Sequence, residues 1–303
     1  MKFTNNISDK AWDDFVKKSH QNNIFCKTRF LKNLKIDYDK VALIDNNNEL
    51  ILGSIIFDKN FNFSKIATLY NGIILSSKID KPYKIIEVLN YYLNEYFKFY
   101  EKLELRSHYN FNDIRPFSWY NHKNEKKFKI EIKYTGLLKL KDINLNKTIN
   151  SGRLQSIKKA LKKGYTSSIE KDIEILDFLN KKTFAKQNLI RGKRMDFFTK
   201  IISGESIKNS YGRLVVTRNK NSEPVSASLF LYNDKIEYYL VGGTSEEALK
   251  DGGASLNIYD QIIYAINQKS DLIDFVGINS PHIGYFKTSF GCSSKPYFEL
   301  SYK

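Results

Sequence analysis

Cysteine is nearly missing from this chain: Cys26 and Cys292 are the only two in 303 residues. Two cysteines cannot build a disulfide framework, and neither lies in a CxxC pair. Both read as reduced thiols of a cytoplasmic protein. Histidine is almost as sparse, with four scattered residues and no pair spaced for one helix face, so no metal site is expected. No apolar run approaches the length of a transmembrane segment, and the opening MKFTNNISDK lacks the apolar core of a signal peptide. Heptads that would make a coiled-coil arm are missing near Lys171 to Ile207. Acidic residues are the minority, 33 against 49 Lys plus Arg, which leaves a net charge of +16. Such a surface attracts phosphate-rich partners: nucleic acid, nucleotide-activated substrates or anionic lipid. It is equally the surface of a chain that carries lysine wherever solvent permits.

What is present is core material. Hydrophobic residues make up 42% of the chain, with 20 Tyr and 21 Phe, enough for a folded globular protein. The length allows one large domain or two of about 150 residues.

The periodicity favours two. Ser8 is placed to cap a helix carrying Trp12, Phe15 and Val16, and a second short helix fits Thr28 to Leu34. Strand-like runs follow at Lys40 to Ile44, Leu50 to Phe57 and Ile66 to Leu75. A helix after Pro82, a strand from Leu103 to Arg106, a short segment near Pro116 to Tyr120 and a long strand from Phe128 to Leu140 complete the first half. The second half opens with a basic helix from Gly152 to Lys163, stopped by Gly164, and a strand from Tyr165 to Ile169. It then repeats the order: two helices, three strands (Arg213 to Arg218, Val225 to Tyr232, Ile236 to Val241), a helix, a strand, a short helix and a strand.

Several stretches carry candidate chemistry. In Ile273 to Leu300 a buried strand meets a turn at Gly277 and a short amphipathic piece. There Lys287 stands among Tyr285, Phe286 and Phe290-Gly291. It is either a solvated lysine or an ammonium at an aromatic-walled pocket edge, able to meet a phosphate or a developing oxyanion. The helix SGRLQSIKKALKKG places Arg153, Lys158, Lys159, Lys162 and Lys163 away from its apolar side, as a solvated face or a ridge for a polyanion such as RNA. Gly252-Gly253-Ala254-Ser255, preceded by Lys250, opens a helix, so its free N–H groups suit a phosphate or a carboxylate; a plain tight turn fits as well. Arg191, Lys193 and Arg194 cluster ahead of Phe198, and arginine grips phosphate with two parallel hydrogen bonds.

The phrase Asp274-Phe275-Val276-Gly277 followed by Phe286-Lys287-Thr288-Ser289-Phe290-Gly291 resembles the "DF-x-G" and "FK-x-x-FG" signature of the FemA/FemB/FemX-type aminoacyltransferases. The resemblance extends over Ser151 to Lys303 and is one of architecture over Met1 to Leu140. It implies a mixed α/β fold of two tandem GNAT-like domains, 1–147 and 148–303. It further implies transfer of an acyl or aminoacyl group to an amine of a nucleotide-linked or lipid-linked envelope precursor. By the same resemblance Lys250 to Ser255 is a degenerate coenzyme A pyrophosphate loop. By that resemblance Arg194 contacts the acceptor diphosphate, with Phe198 where the family keeps a tyrosine, and Tyr239 lies on the strand that faces the substrate channel; a packed tyrosine of the sheet fits Tyr239 as well. The donor is acyl-CoA or aminoacyl-tRNA, so tRNA is a candidate partner. The missing arm favours a FemX-like or acyl-CoA-using relative. Where FemX-type enzymes end the fifth strand on an acid, this chain reads Leu105-Arg106-Ser107-His108, so no dedicated general base is expected. The alternative from another class is a non-catalytic RNA-binding protein using the basic helix and the aromatics.

Overall fold

The structure is a computed structural model that describes all residues except 58–67, 112, 187, 189 and 303, and all but the side chains of 193 and 194. The chain divides into two compact units, Met1–Tyr134 with Pro296–Lys303, and Thr135–Lys295. The division lies at residues 134 and 135 rather than at 147 and 148, and the last eight residues belong to the first unit.

In the first unit the elements are β1 (Lys2–Thr4), α1 (Asp9–Lys18), α2 (Thr28–Asn33), β2 (Tyr38–Ile44), β3 (Leu50–Phe57), β4 (Gly72–Leu75), α3 (Pro82–Tyr96), β5 (Leu103–Arg106), α4 (Arg115–Trp119) and β6 (Lys129–Lys139). The Ser8 hydroxyl accepts from Ala11 N at 3.3 Å and caps α1, which buries Trp12, Phe15 and Val16 as its spacing requires. β1 to β4 form an antiparallel sheet in chain order. The run read as a strand over 66–75 is strand only at Gly72–Leu75, and its first two residues lie outside the described ones. Pro82 opens α3, whose Val88, Leu89, Tyr92, Leu93 and Tyr96 enter a core with Phe117 and Phe128. Burying side chains of this size contributes roughly 1.5–3 kcal/mol each.

The second unit runs α5 (Leu145–Thr148), α6 (Ser151–Lys162), β7 (Thr166–Glu170), α7 (Ile173–Lys186), α8 (Lys193–Asp196), a π-helical turn at Phe197–Ile202, α9 (Ser203–Lys208), β8 (Gly212–Arg218), β9 (Pro224–Asn233), β10 (Ile236–Thr244), α10 (Glu246–Asp251), α11 (Gly253–Asn267), β11 (Leu272–Asp274), α12 (Pro281–Thr288) and the start of β12 (Ser293–Tyr302). Strands β7 to β10 pair antiparallel in turn, β11 joins β10 in parallel, and the end of β6 pairs antiparallel with β11. Beyond Pro296, β12 pairs in the first unit with β5, Glu299 opposite Arg106. α11 is fixed to the sheet by polar contacts as well as apolar ones. Arg213 Nε donates to Gln261 Oε1 at 2.8 Å, and its guanidinium pairs with buried Glu237. The first unit follows the order two helices, three strands, helix, strand, short helix, strand; in the second, α7, α8, a π-helical turn and α9 stand before the three strands and α10 precedes α11. The fold is mixed α/β, as expected.

Candidate active site

β10 and β11 stay together for three residues only, Ile236 to Tyr238 beside Leu272 to Asp274. β10 then bulges between Tyr239 and Val241 and continues along β9 to Thr244, while β11 ends. A bulge re-aims the side chains beside it and commonly flanks a functional site. Past β11 the chain turns through Val276 (φ 51°) and Gly277 (φ 47°). A left-handed β-branched residue is strained, and such strain persists only where surrounding contacts enforce it.

Two side chains do so here. Asp274 Oδ1 accepts from Val276 N at 2.8 Å and from the Thr135 hydroxyl. Lys287, on α12, sends its ammonium into the turn and donates to the carbonyls of Phe275 (2.7 Å), Val276 (2.6 Å) and Gly277 (3.1 Å). The same ammonium stands 4.6 Å from the centre of the Tyr239 ring, a cation–π contact that ties the turn to β10. Only 7% of Lys287 is exposed. Burial lowers its pKa to about 7, against Asp274 and Cys292, which favour the charged form. Burial likewise raises the Tyr239 phenol to about 12 and the Cys292 thiol to about 11. Lys287 is thus neither a solvated lysine nor a free one: all three N–H groups are engaged by carbonyls.

α7 covers the edge of β10 that β11 has left. Asn180 Nδ2 donates to Gly242 O at 2.8 Å, and the Thr183 hydroxyl accepts from Thr244 N at 2.9 Å. Close approach is required at Gly242, where a Cβ would meet the Tyr239 hydroxyl oxygen at 2.3 Å. One turn earlier on α7, buried Asp177 pairs with Arg191 and Lys181 and accepts from Thr199 at 2.7 Å on the π-helical turn. The first unit treats the corresponding strand ends differently. There the Gln21 amide bridges Leu75 N (2.9 Å) and Asn110 O (3.3 Å), and Asn71 bridges Ile55 O and Arg106 N.

Of the residues singled out from the sequence, Lys287 and Tyr239 come together as described. Phe286 packs against the core and lies under the Arg153 guanidinium at 4.4 Å, whereas Tyr285, the residue before it, is 71% exposed. Arg153 is not on the basic ridge. It turns inward, its Nε donating to Ser289 Oγ and its Nη1 to Ser255 Oγ, both at 2.8 Å. Lys159 and Lys163 pair with Asp251, and Lys158 and Lys162 are exposed. At Lys250 to Ser255, Gly252 (φ 86°) ends α10 and begins α11, and a Cβ there would lie 2.0 Å from Ser156 O. α6 therefore sits on this helix start, Gly252, Gly253 and Ser255 are buried, and only Ala254 is half-buried. The glycines at this helix start therefore also serve the close packing of α6 and Tyr165. Arg191 is bound to Asp177, Phe198 is buried, and the Arg194 side chain lies outside the described residues.

Asn180, Thr183 and Asp177 were not anticipated. Their one signal is polarity at helical spacing beside Leu176 and Leu179, the buried apolar residues of α7. Nothing local marks the strain at Val276.

No family model and no curated protein matches the chain. Among solved structures it is similar to FemX, with 13% identity, 98% of this chain and 97% of that one covered, and a TM-score of 0.66. It is also similar to the C-terminal domain of a putative lysylphosphatidylglycerol synthetase from Agrobacterium fabrum, at 9% identity over 97% and 90% of the two chains, TM-score 0.56. A tandem GNAT protein from the clavulanic acid biosynthesis pathway matches at 8% identity over 99% and 97%, TM-score 0.55. At these identities the likeness is one of fold. The chain shares its mixed α/β fold with these proteins, one of which is a tandem GNAT protein.

Proposed function

We propose that this protein is an acyl- or aminoacyltransferase acting in the cytoplasm. It moves the acyl group of an activated donor, an acyl-CoA or an aminoacyl-tRNA, to an amine of a nucleotide-linked or lipid-linked envelope precursor. The observation that supports this reading best is the Lys287 ammonium, held between the strained turn Phe275 to Gly277 and the Tyr239 ring where β10 and β11 part. An acyl group placed there meets the Lys287 ammonium in buried surroundings, where a positive charge acts most strongly on a developing oxyanion.

The chemistry needs little else. The amine lone pair attacks the acyl carbon, the new C–N bond forms, and the carbonyl electrons move to oxygen. Collapse of that intermediate expels the thiolate or the ribose alkoxide, and the proton lost by the amine goes to the leaving group. Positioning and oxyanion stabilisation account for most of such a rate enhancement. Lys287 can reach the oxyanion by giving up its longest contact, the 3.1 Å bond to Gly277 O. Tyr239, Tyr285 and Phe286 would line the acceptor's path, with Arg194 on its diphosphate.

The test is intact-mass detection of acylated product after mixing the protein with candidate donors and amine acceptors. The expected result is an acceptor heavier by one acyl group, dependent on both protein and donor. No product from either donor class, with a folded protein and amine acceptors that include nucleotide-linked peptides, overturns the reading.

A further inference from the structure

A catalytic ammonium needs an orientation as well as a charge, and α12 cannot supply one to Lys287 by itself. It is a helix of eight residues, too short to persist in water without tertiary contacts, and its Pro281, His282, Ile283 and Tyr285 are exposed. The Ser280 side chain at its start makes no capping bond. Its other end is tied down, by the start of α6. Asn150 N donates to Ser289 O at 2.9 Å, and Gly291 lies so close to Thr148 that a Cβ there would collide with it. Arg153 completes the hold. Its guanidinium stands 4.4 Å from the centre of the Phe286 ring and 5.5 Å from that of Phe290, and its Nε donates to Ser289 Oγ at 2.8 Å. Its Nη1 anchors it to α11 through Ser255 Oγ, also at 2.8 Å. Arg115, Arg191, Arg213 and Arg218 each pair with a carboxylate. Arg153 instead bonds two hydroxyls and two ring faces, contacts that fix direction more than they neutralise charge.

Positions 286, 289 and 290 have the spacing of one side of a helical turn. A grip on that side sets the rotation of the turn, and position 287, about 100° further round, then faces the carbonyls of Phe275, Val276 and Gly277. We propose that Arg153 is the positioning residue of this site: by clasping Phe286, Ser289 and Phe290 it holds α12 at the rotation that aims Lys287 into the strained turn. The proposal rests on the transferase reading and adds what keeps the ammonium in place; Arg153 touches no reacting atom. The hold matters most in turnover, when Lys287 exchanges its bond to Gly277 O for the oxyanion and its own anchorage is weakest. A guanidinium suits the task because it stays charged and keeps its donors in fixed directions, whereas lysine offers one flexible head.

The experiment compares wild type with Arg153→Met, which keeps a stem and removes the head, Arg153→Lys, which restores a charge, and Ser289→Ala, which removes the bond to the end of α12. Competitive acetylation with acetic anhydride across pH, read by peptide mass spectrometry, gives the pKa of Lys287 without any substrate. Burial lowers that pKa to about 7. A loosened α12 admits water, which favours the ammonium, so Arg153→Met should titrate at least about one pH unit higher, with Arg153→Lys and Ser289→Ala in between. In turnover the kcat of Arg153→Met should fall by as much as about 100-fold with KM little changed, as when a reacting group is misplaced by about 1 Å. An unchanged Lys287 pKa in folded Arg153→Met overturns the inference, and if that variant does not fold, an unchanged pKa in Ser289→Ala does so. An equal shift in Ser255→Ala, which frees Arg153 from α11 alone, also overturns it, because the effect is then a general loosening of the packing. A shifted pKa in a protein that forms no product leaves the clasp standing and removes the transferase reading.

Discussion

Lys287→Met separates the role of the charge from that of the stem. Methionine keeps the apolar stem and removes the ammonium, leaving the carbonyls of Phe275, Val276 and Gly277 without their donor. An unpaired buried acceptor costs about 1–3 kcal/mol. Against this stands the burial of the charge, which lowers the Lys287 pKa from 10.5 to about 7. Between those two values the unfolded chain holds a proton that the folded one has released. Stability from this group therefore rises with pH from about 7 to about 10.5, and the penalty is fully present below 7. At 1.36 kcal/mol per pH unit, wild type should gain about 4 kcal/mol over the variant between pH 7 and pH 10. The three carbonyls and Asp274 favour the ammonium and make that figure a ceiling. Denaturant melts of both proteins at pH 7, 8, 9 and 10 give the difference directly, since all other titrations are common to the two. A difference that does not change with pH refutes the buried-charge account. In turnover, kcat should fall roughly 10²–10³-fold, the range for one lost oxyanion donor. It should fall together with kcat/KM, as expected for an interaction made in the transition state. Full kcat in a folded variant rules the charge out of the chemistry.

Arg191→Ala leaves Asp177 buried with only lysines for counter-charge and should destabilise the second unit by about 3 kcal/mol, read from urea melts at pH 7. Burial alone would raise the Asp177 pKa, but Arg191, Lys181 and Thr199 outweigh it and hold it below the usual 3.8. The stabilisation is thus present above pH 4 and lost as pH falls below it, and the variant should show a weaker acid sensitivity than wild type; an unchanged acid profile counts against this pairing. Gly252→Ala puts a Cβ 2.0 Å from Ser156 O at φ 86° and should cost at least about 2 kcal/mol by separating α6 from α11. Gly192→Ala, with no atom within 4 Å of the new Cβ, is the control and should leave the melting temperature within a degree or two.

Sequence alone determined what depends on near neighbours. Ser8 caps α1, Pro82 opens α3, Gly164 (φ 78°) follows the end of α6, and Leu103 to Arg106 is a strand, because capping, proline geometry and alternation act within a few residues. The repeated order of elements, and with it the tandem α/β fold, followed from the same local signals. The phrase around Lys287 was legible as a site because a lysine among aromatics is unusual whatever surrounds it. Direction was not legible. Arg153 and Lys163 lie on one basic helix, yet one turns inward to Ser255 and Ser289 while the other pairs with Asp251; the difference is set by residues about a hundred positions away. Gly252 and Gly253 read as a phosphate loop or a tight turn, and that α6 packs against them was not legible, since a glycine in a sequence does not say what approaches it. The strain at Val276 and the unpaired oxygen of Asn180 exist only because α12 and α7 press on strands that part after Tyr238, and that parting is a property of the packed sheet and not of any segment within it.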